Sequence, residues 1–177
     1  VLPCGFADPM LRGGAILNTD GSVSIALINR GPAKEAVIDC TSWKTRTDGT
    51  PALHQPLRRI VYDSAHVPYN AFNDLQPASG TVSATAGLFA VSLPAKSMTF
   101  LTTDYVDRTP PAVGGLELKG GILSWTASTD ANHVYYRVYR DNRQIASTVA
   151  TKLDVKGAKG LYDVRSVDRW NNEGAVQ

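Results

Sequence analysis

The sequence predicts an all-β protein made of two β-sandwiches in tandem, and three observations indicate this fold class. Short runs that alternate apolar with smaller or polar residues recur along the 177-residue chain. Turn residues separate these runs at nearly regular spacing, which is typical of sandwiches. No stretch of about 12 residues carries the sustained periodicity of a helix. A proline-rich segment near the middle divides the runs into two series.

The first series opens with a hairpin signal. Residues 15–17 and 22–29 are joined by a turn that contains Asp-Gly, which favours a tight connection between antiparallel strands. Within the second run Val23, Ile25 and Leu27 fall on one face, as a half-buried strand requires. The further strands predicted in this series cover residues 36–40, 59–62, 81–84, 88–93 and 98–102.

Residues 107–112 have the composition of a linker. Their paired prolines favour a stiff, extended segment with few backbone donors. Beyond this segment the strand pattern restarts, and the predicted strands cover residues 115–118, 122–125, 134–140, 144–147 and 160–168. The sequence therefore predicts two domains, one over residues 1–107 and one over residues 108–177.

Three motifs of the second series carry a resemblance to a known module. They lie at residues 123–126, 136–141 and 162–168. Through them the second domain resembles a fibronectin type III module, which is an immunoglobulin-like sandwich. The resemblance implies that Trp125 fills the core and that the hydroxyl of Tyr162 hydrogen-bonds back to a nearby loop. A buried aromatic side chain fills volume but needs its polar atom satisfied, which agrees with both roles.

Three stretches of the first series carry a second resemblance. They are residues 17–29, residues 62–72 with Pro-Tyr followed by a further aromatic residue, and the closing run 93–101. They resemble the accessory β-sandwich of glycoside hydrolase family 39, which contains β-xylosidases and α-L-iduronidase. The domain order is similar too, because α-L-iduronidase continues into a fibronectin-like domain. The resemblance implies that this sandwich supports a catalytic (β/α)8 barrel outside these 177 residues and meets carbohydrate substrate only indirectly.

The glutamates do not supply the chemistry of such an enzyme. Retaining glycosidases need two carboxylates about 5 Å apart, and neither Glu35 nor Glu117 has a plausible partner nearby in sequence. Glu173 follows an asparagine, as one catalytic glutamate of family 39 does, but its context indicates a solvated turn. The chain alone is therefore predicted to be inactive. The alternative functions are a free-standing carbohydrate-binding or adhesion module, for which Tyr135, Tyr136 and Tyr139 would form the sugar platform, and a plain spacer.

Composition argues against several other classes of function. The net charge of +2, without clusters of Lys or Arg, does not favour nucleic acid. No apolar run approaches the roughly 20 residues of a membrane-spanning helix. His54, His66 and His133 lack the spacing of metal ligands, and no glycine-rich phosphate loop is present. We expect no cofactor, no metal, no nucleic-acid partner and no membrane partner.

The two cysteines, Cys4 and Cys40, allow one disulfide. The domain types that the chain resembles are usually extracellular, so an intrachain disulfide is the leading expectation, and a secreted or otherwise extracytoplasmic location, periplasmic or lysosomal-like, goes with it. Two unpaired buried thiols are one alternative. Pairing of Cys4 with another chain is the second.

Residues 63–72 are the candidate contact with the catalytic barrel. Asp63, His66, Tyr69 and Phe72 lie in ten residues just after a strand, where a small sandwich has little core to bury two more aromatic rings. The matching stretch of family 39 belongs to the domain that packs on the barrel. The alternatives are that the two rings cap their own sandwich and that Asp63 and His66 form a local loop hydrogen bond.

Overall fold

The computed structural model describes residues 2, 4–43, 53, 55–65, 74 and 78–176. They group into two compact units, the first containing the described residues up to 65 with 78–105 and the second containing Asp74 with 106–176. The regular structure of the described residues is strand, with no helix among them, so the predicted all-β fold class is confirmed.

The first unit consists of two antiparallel sheets. Its strands are β1 (Leu11–Leu17), β2 (Val23–Asn29), β3 (Lys34–Asp39), β4 (Leu57–Tyr62), β5 (Thr81–Val82), β6 (Leu88–Leu93) and β7 (Ser97–Thr102). One sheet has five strands in the order β1-β2-β7-β4-β5, and the other pairs β3 with β6. The Asp-Gly turn joins β1 to β2 as predicted, with Gly21 at a φ of 81° that glycine adopts without strain.

The core of the first unit lies between these two sheets. Both sheets contribute alternate residues, because side chains on a strand point to opposite faces with a period of two. The buried cluster consists of Ala15, Val23, Ile25, Leu27, Ala36, Cys40, Leu57, Phe89, Val91, Leu93 and Leu101. The face predicted for the second strand is therefore the core face, since Val23, Ile25 and Leu27 are all buried.

The second unit also consists of two antiparallel sheets. Its strands are β8 (Glu117–Lys119), β9 (Ile122–Ser124), β10 (His133–Arg140), β11 (Arg143–Thr148), β12 (Lys152–Asp154) and β13 (Tyr162–Asp168). The sheet orders are β12-β9-β8 and β11-β10-β13. Asp141 and Asn142 both have positive φ in the tight turn between β10 and β11, a conformation that these two residue types tolerate.

Trp125 lies in the core of the second unit. It is 5% exposed and packs edge-on against Tyr136, with ring centroids 5.4 Å apart. The cluster around it contains Val113, Leu123, Val138, Val155 and Val164. The hydroxyl of Tyr162 donates a hydrogen bond to the carbonyl oxygen of Ala158 at 2.5 Å, four residues back along the chain.

Candidate interaction surface

The outer face of the five-stranded sheet is apolar at its centre. The register places Ile28 beside Met98 and Met98 beside Tyr62, and the neighbouring row joins Ala26, Phe100 and Ile60. We call these six residues the apolar face. They point away from the core because they alternate with buried residues of β2, β4 and β7.

The residues of the apolar face differ in how far they are exposed to water. Ile28 is 42% exposed, whereas the other five residues are half-buried. The rings of Tyr62 and Phe100 meet edge-to-face with centroids 6.0 Å apart, and burial raises the pKa of the Tyr62 hydroxyl. An antiparallel sheet that faces water on one side usually carries polar residues there. A contiguous apolar patch in that position marks a site of association.

A shallow groove of about 640 Å³ adjoins one end of the apolar face. It is lined by Ile28, Asn29, Arg30, Tyr62, Asp63, Ser64, Lys96, Ser97 and Met98. The structure therefore places Asp63, one of the four residues predicted at the barrel contact, beside the apolar face. Its carboxylate accepts a hydrogen bond from the backbone N–H of Ala65 at 2.9 Å. His66, Tyr69 and Phe72 lie outside the described residues, so the predicted contact stays a prediction.

A second cavity, of about 380 Å³, lies in the first unit among residues of β1, β2 and β3. Its walls are mostly apolar, with Phe6, Ile38 and Trp43 among them, and Lys34 forms an ion pair with Asp8 there. Residues of β1, β2 and β3 line it, so both sheets of the first unit contribute to its walls.

Both cysteines are free thiols in the structure, Cys4 exposed and Cys40 buried. The Sγ atom of Cys4 donates to the carbonyl oxygen of Leu2 at 3.4 Å. The disulfide between Cys4 and Cys40 stays a prediction, and thiol labelling of the denatured, unreduced protein tests it. Two reactive thiols in that experiment would contradict the disulfide.

For the reduced protein we expect Cys4 to alkylate much faster than Cys40 at pH 8. Burial raises the pKa of Cys40 to about 12, with the charge of Asp39 and the neighbouring Cys4 adding to the effect, and the thiolate is the reactive form. Mass spectrometry of peptides after timed exposure to iodoacetamide gives the two rates. Equal rates in the folded protein would show that Cys40 is not buried as described.

The second unit holds a buried polar network around Asp74. Arg137 donates to both carboxylate oxygens of Asp74, through Nε at 2.6 Å and Nη2 at 3.1 Å. Gln144 and Ser147 donate to the same carboxylate at 2.8 and 3.1 Å, and the Tyr135 hydroxyl also donates to it. Asp74 is 4% and Arg137 8% exposed, so the carboxylate and guanidinium compensate each other's burial.

Hydrogen bonding determines the protonation of this network. Burial alone would raise the pKa of Asp74, but the hydrogen bonds from Arg137, Tyr135 and Gln144, with the Arg137 charge, hold it well below its ordinary value. Burial and the bond to the Asp74 carboxylate raise the pKa of Tyr135. The network is therefore a charged pair at neutral pH with a neutral tyrosine beside it.

The three tyrosines considered as a sugar platform serve other purposes. Tyr136 is 2% exposed and belongs to the core. Tyr139 donates its hydroxyl proton to Glu173 at 2.5 Å, and the guanidinium of Arg165 lies 4.5 Å over its ring. Since the Tyr135 hydroxyl binds Asp74, the tyrosine pattern does not support the carbohydrate-binding alternative.

The glutamates discussed above lie in different settings. Glu173 pairs with Arg165 at 3.5 Å and accepts the Tyr139 bond, which makes it part of a local ion-pair cluster. Glu117 is exposed on β8 of the second unit, and Glu35 is exposed on β3 of the first. In the part of the chain that the structure describes, no group of three or more His, Cys, Asp or Glu residues could hold a metal ion.

His133 is the histidine that the structure describes. Its ring stacks on Tyr136 with centroids 4.2 Å apart. Burial lowers the pKa of His133, partly opposed by the charge of Asp130. His54 and His66 lie outside the described residues. Among the described residues there is no helix that is long and apolar enough to cross a membrane.

The comparisons with known proteins give distant structural likenesses alone. No protein-family model and no curated protein matches the chain. It is similar to a GH30 endoxylanase from Clostridium papyrosolvens, with TM-score 0.42 and 19% identity over 56% of this chain and 21% of that one. It is also similar to a glycoside hydrolase family 30 subfamily 8 xylanase from Clostridium acetobutylicum, with TM-score 0.39 and 19% identity over 54% of this chain and 20% of the xylanase.

The spore cortex lytic enzyme SleM of Clostridium perfringens gives TM-score 0.34 and 16% identity over 54% of this chain and 34% of that one. The chain thus spans about a fifth of each xylanase and a third of SleM. The two xylanases belong to family 30, so these likenesses give no support for family 39. At TM-scores of this size they carry no argument about function.

Proposed function

We propose that this chain is a non-catalytic β-domain portion of a secreted glycoside hydrolase, packed through its apolar face on a catalytic (β/α)8 barrel. The observation that carries the proposal is the apolar face itself. A sandwich buries one side of each sheet in its own core and needs no apolar residues on the other side. Ile28, Met98 and Phe100 on the outer side are expected where a second body covers the sheet.

The sequence motifs supply the kind of partner. The accessory sandwich of glycosidases is resembled by three stretches, residues 17–29, 62–72 and 93–101. The first stretch contains β2 and the last contains most of β7. These two strands carry four of the six residues of the apolar face. The motifs favour family 39, but we make the proposal for glycoside hydrolases in general, since the structural neighbours give family 39 no support.

For the second unit we propose a fibronectin type III-like module. The burial of Trp125 and the bond from the Tyr162 hydroxyl to Ala158 support this assignment, because they are the two features that the resemblance implies. Such a module adds a rigid, non-catalytic body to the enzyme.

The double variant Ile28→Glu with Met98→Glu tests the function. It is expected to weaken association with the catalytic barrel by about hundredfold, because two carboxylates would have to leave water to enter an apolar contact. The barrel encoded with this chain is expressed separately, and binding to the 177-residue chain is measured by calorimetry. The chain alone is expected to hydrolyse no aryl glycoside.

Val37→Glu is the matched control, because Val37 is 74% exposed on β3, outside the apolar face. We expect it to bind as the unaltered chain does. Thermal melting verifies that the double variant is folded. Unchanged binding by a folded double variant would show that the apolar face is not the contact, and absence of binding by the unaltered chain would refute the proposed function.

A further inference from the structure

One end of the apolar face carries a concentration of positive charge. Arg30 and Lys96 are exposed in the groove that adjoins Ile28 and Met98. Arg12 is exposed on β1 directly beside Ile28 in the register. We call Arg12, Arg30 and Lys96 the basic end. Among the described residues, Asp63 is the one acidic residue that lines the same groove.

The basic end is not neutralised by the described part of the chain. Arg30 and Lys96 form no ion pair with any described residue, whereas Arg108, Arg137 and Arg165 of the second unit all pair with carboxylates. Arg12 donates to the backbone carbonyl oxygens of Pro9 and Leu11, which orients the guanidinium without cancelling its charge. The whole chain carries a net charge of +2, so three cations at one sheet end are a local excess.

Backbone hydrogen bonds hold the main chain of Lys96 and Arg30, two residues of the basic end, in neighbouring turns. Lys96 has a φ of 47° in the turn between β6 and β7, and its N–H donates to the carbonyl oxygen of Gly31 at 3.1 Å. Arg30 directly follows β2, and its N–H donates to the carbonyl oxygen of Met10 at 2.9 Å. The backbone of both residues is therefore held at this end of the apolar face by hydrogen bonds.

We propose that the apolar face docks on a helical surface of the catalytic barrel whose apolar stripe is flanked at one end by Asp or Glu residues, with those carboxylates facing the basic end. The inference rests on the proposed function and adds the chemistry of the partner. The outer layer of a (β/α)8 barrel is a ring of helices, and a helix stripe packs on the face of a sheet. Unpaired cations beside that contact call for carboxylates on the partner.

The charges give the contact its orientation and its rate. An apolar patch alone is non-directional, so it permits several orientations of one body on the other. Cations at one end favour the orientation that brings opposite charges together. Charges at the rim of an interface act mainly on the association rate, which falls as salt screens them.

The test uses the complete 177-residue chain and the separately expressed catalytic barrel. The variant Arg30→Glu with Lys96→Glu is compared with Arg143→Glu and Lys152→Glu, which makes the same change of charge at exposed residues of the second unit. Association rates are measured by stopped flow from low to high salt. We expect the first variant to associate about tenfold or more slowly at low salt, with the difference vanishing at high salt. We expect the control to change little.

The outcomes separate the inference from the proposed function. Equal slowing by both variants would show a general charge effect and overturn the basic end as a specific contact. Unaltered rates for the first variant, together with loss of binding by the apolar-face variant, would overturn the inference and leave the proposed function intact. A Lys96→Asn variant that accepts the same positive φ and still slows association would support a charge effect over a backbone effect.

Discussion

Replacing Trp125 with alanine is expected to lower the free energy of unfolding of the second unit by about 3–5 kcal/mol. The indole is 5% exposed, packs edge-on against Tyr136 and belongs to a core cluster with Leu123 of the other sheet. Its removal would leave a cavity that a rigid β-sandwich refills poorly. Hydrogen exchange of the β10 and β13 amides reports this unit separately from the first.

Two further variants isolate the cause. Among the described residues the Nε1 atom of Trp125 has no hydrogen-bond partner, so Trp125→Phe should retain most of the stability that alanine loses. Trp170→Ala removes the same ring from a half-buried turn, where Arg108 and Arg169 lie 5.4 and 4.8 Å over it. That control should cost about 1 kcal/mol. Similar losses for the two tryptophans would show that Trp125 is not the centre of the core.

The part of the fold that the sequence predicts follows from the alternation of apolar and smaller residues along strands and from the residues of the turns. Val23, Ile25 and Leu27 alternate with smaller residues, and the Asp-Gly turn after β1 fixes the hairpin register. The burial of Trp125 was implied by its place in the motif at residues 123–126, through which the second domain resembles a fibronectin type III module. These are local signals, and each is complete within about ten residues.

The apolar face was harder to predict from the sequence. Alternation of apolar and polar residues identifies the core side of a strand, and the other side is then expected to face solvent. Met98 and Phe100 share one side of β7 while Thr99 and Leu101 share the other, so each side of this strand carries a large apolar residue. That double character was the available signal. The neighbours that make it a surface, Tyr62 on β4 and Ile28 on β2, follow only from the strand order β2-β7-β4.

The Asp74 network could not be predicted from the sequence for a related reason. Asp74 and Arg137 are 63 residues apart, and nothing in the composition around either residue indicates a buried partner. The predicted domain boundary at residue 107 puts Asp74 in the first domain, whereas the structure groups it with the second unit. Such a long-range ion pair depends on the tertiary fold, which short motifs do not specify.

We expect Asp74→Ala to lower the free energy of unfolding of the second unit by about 3 kcal/mol. Removing one member of a buried pair typically costs about 3–5 kcal/mol, because the remaining charge loses its compensation. The lower end applies here, since Arg137 keeps the Asn171 side-chain oxygen at 2.8 Å and the Tyr135 hydroxyl at 3.0 Å. Asp154→Ala is the control, because Asp154 is exposed and its side chain accepts a hydrogen bond from the backbone N–H of Lys156 in its own turn. It should cost less than about 1 kcal/mol.

The pH dependence of stability distinguishes this ion pair from simple packing. The pKa of Asp74 is depressed in the folded unit by its bonds to Arg137, Tyr135 and Gln144, against the opposing effect of burial. Its contribution is therefore fully present above the unfolded pKa of about 3.9 and is lost as the pH falls through the lower folded value. Between about pH 5 and pH 2 the unaltered unit should lose stability more steeply than Asp74→Asn, which keeps the shape of the side chain but has no proton to bind. Parallel pH profiles for the two proteins would mean that Asp74 is not ionised in the folded state, and the ion-pair account of this network would then be wrong.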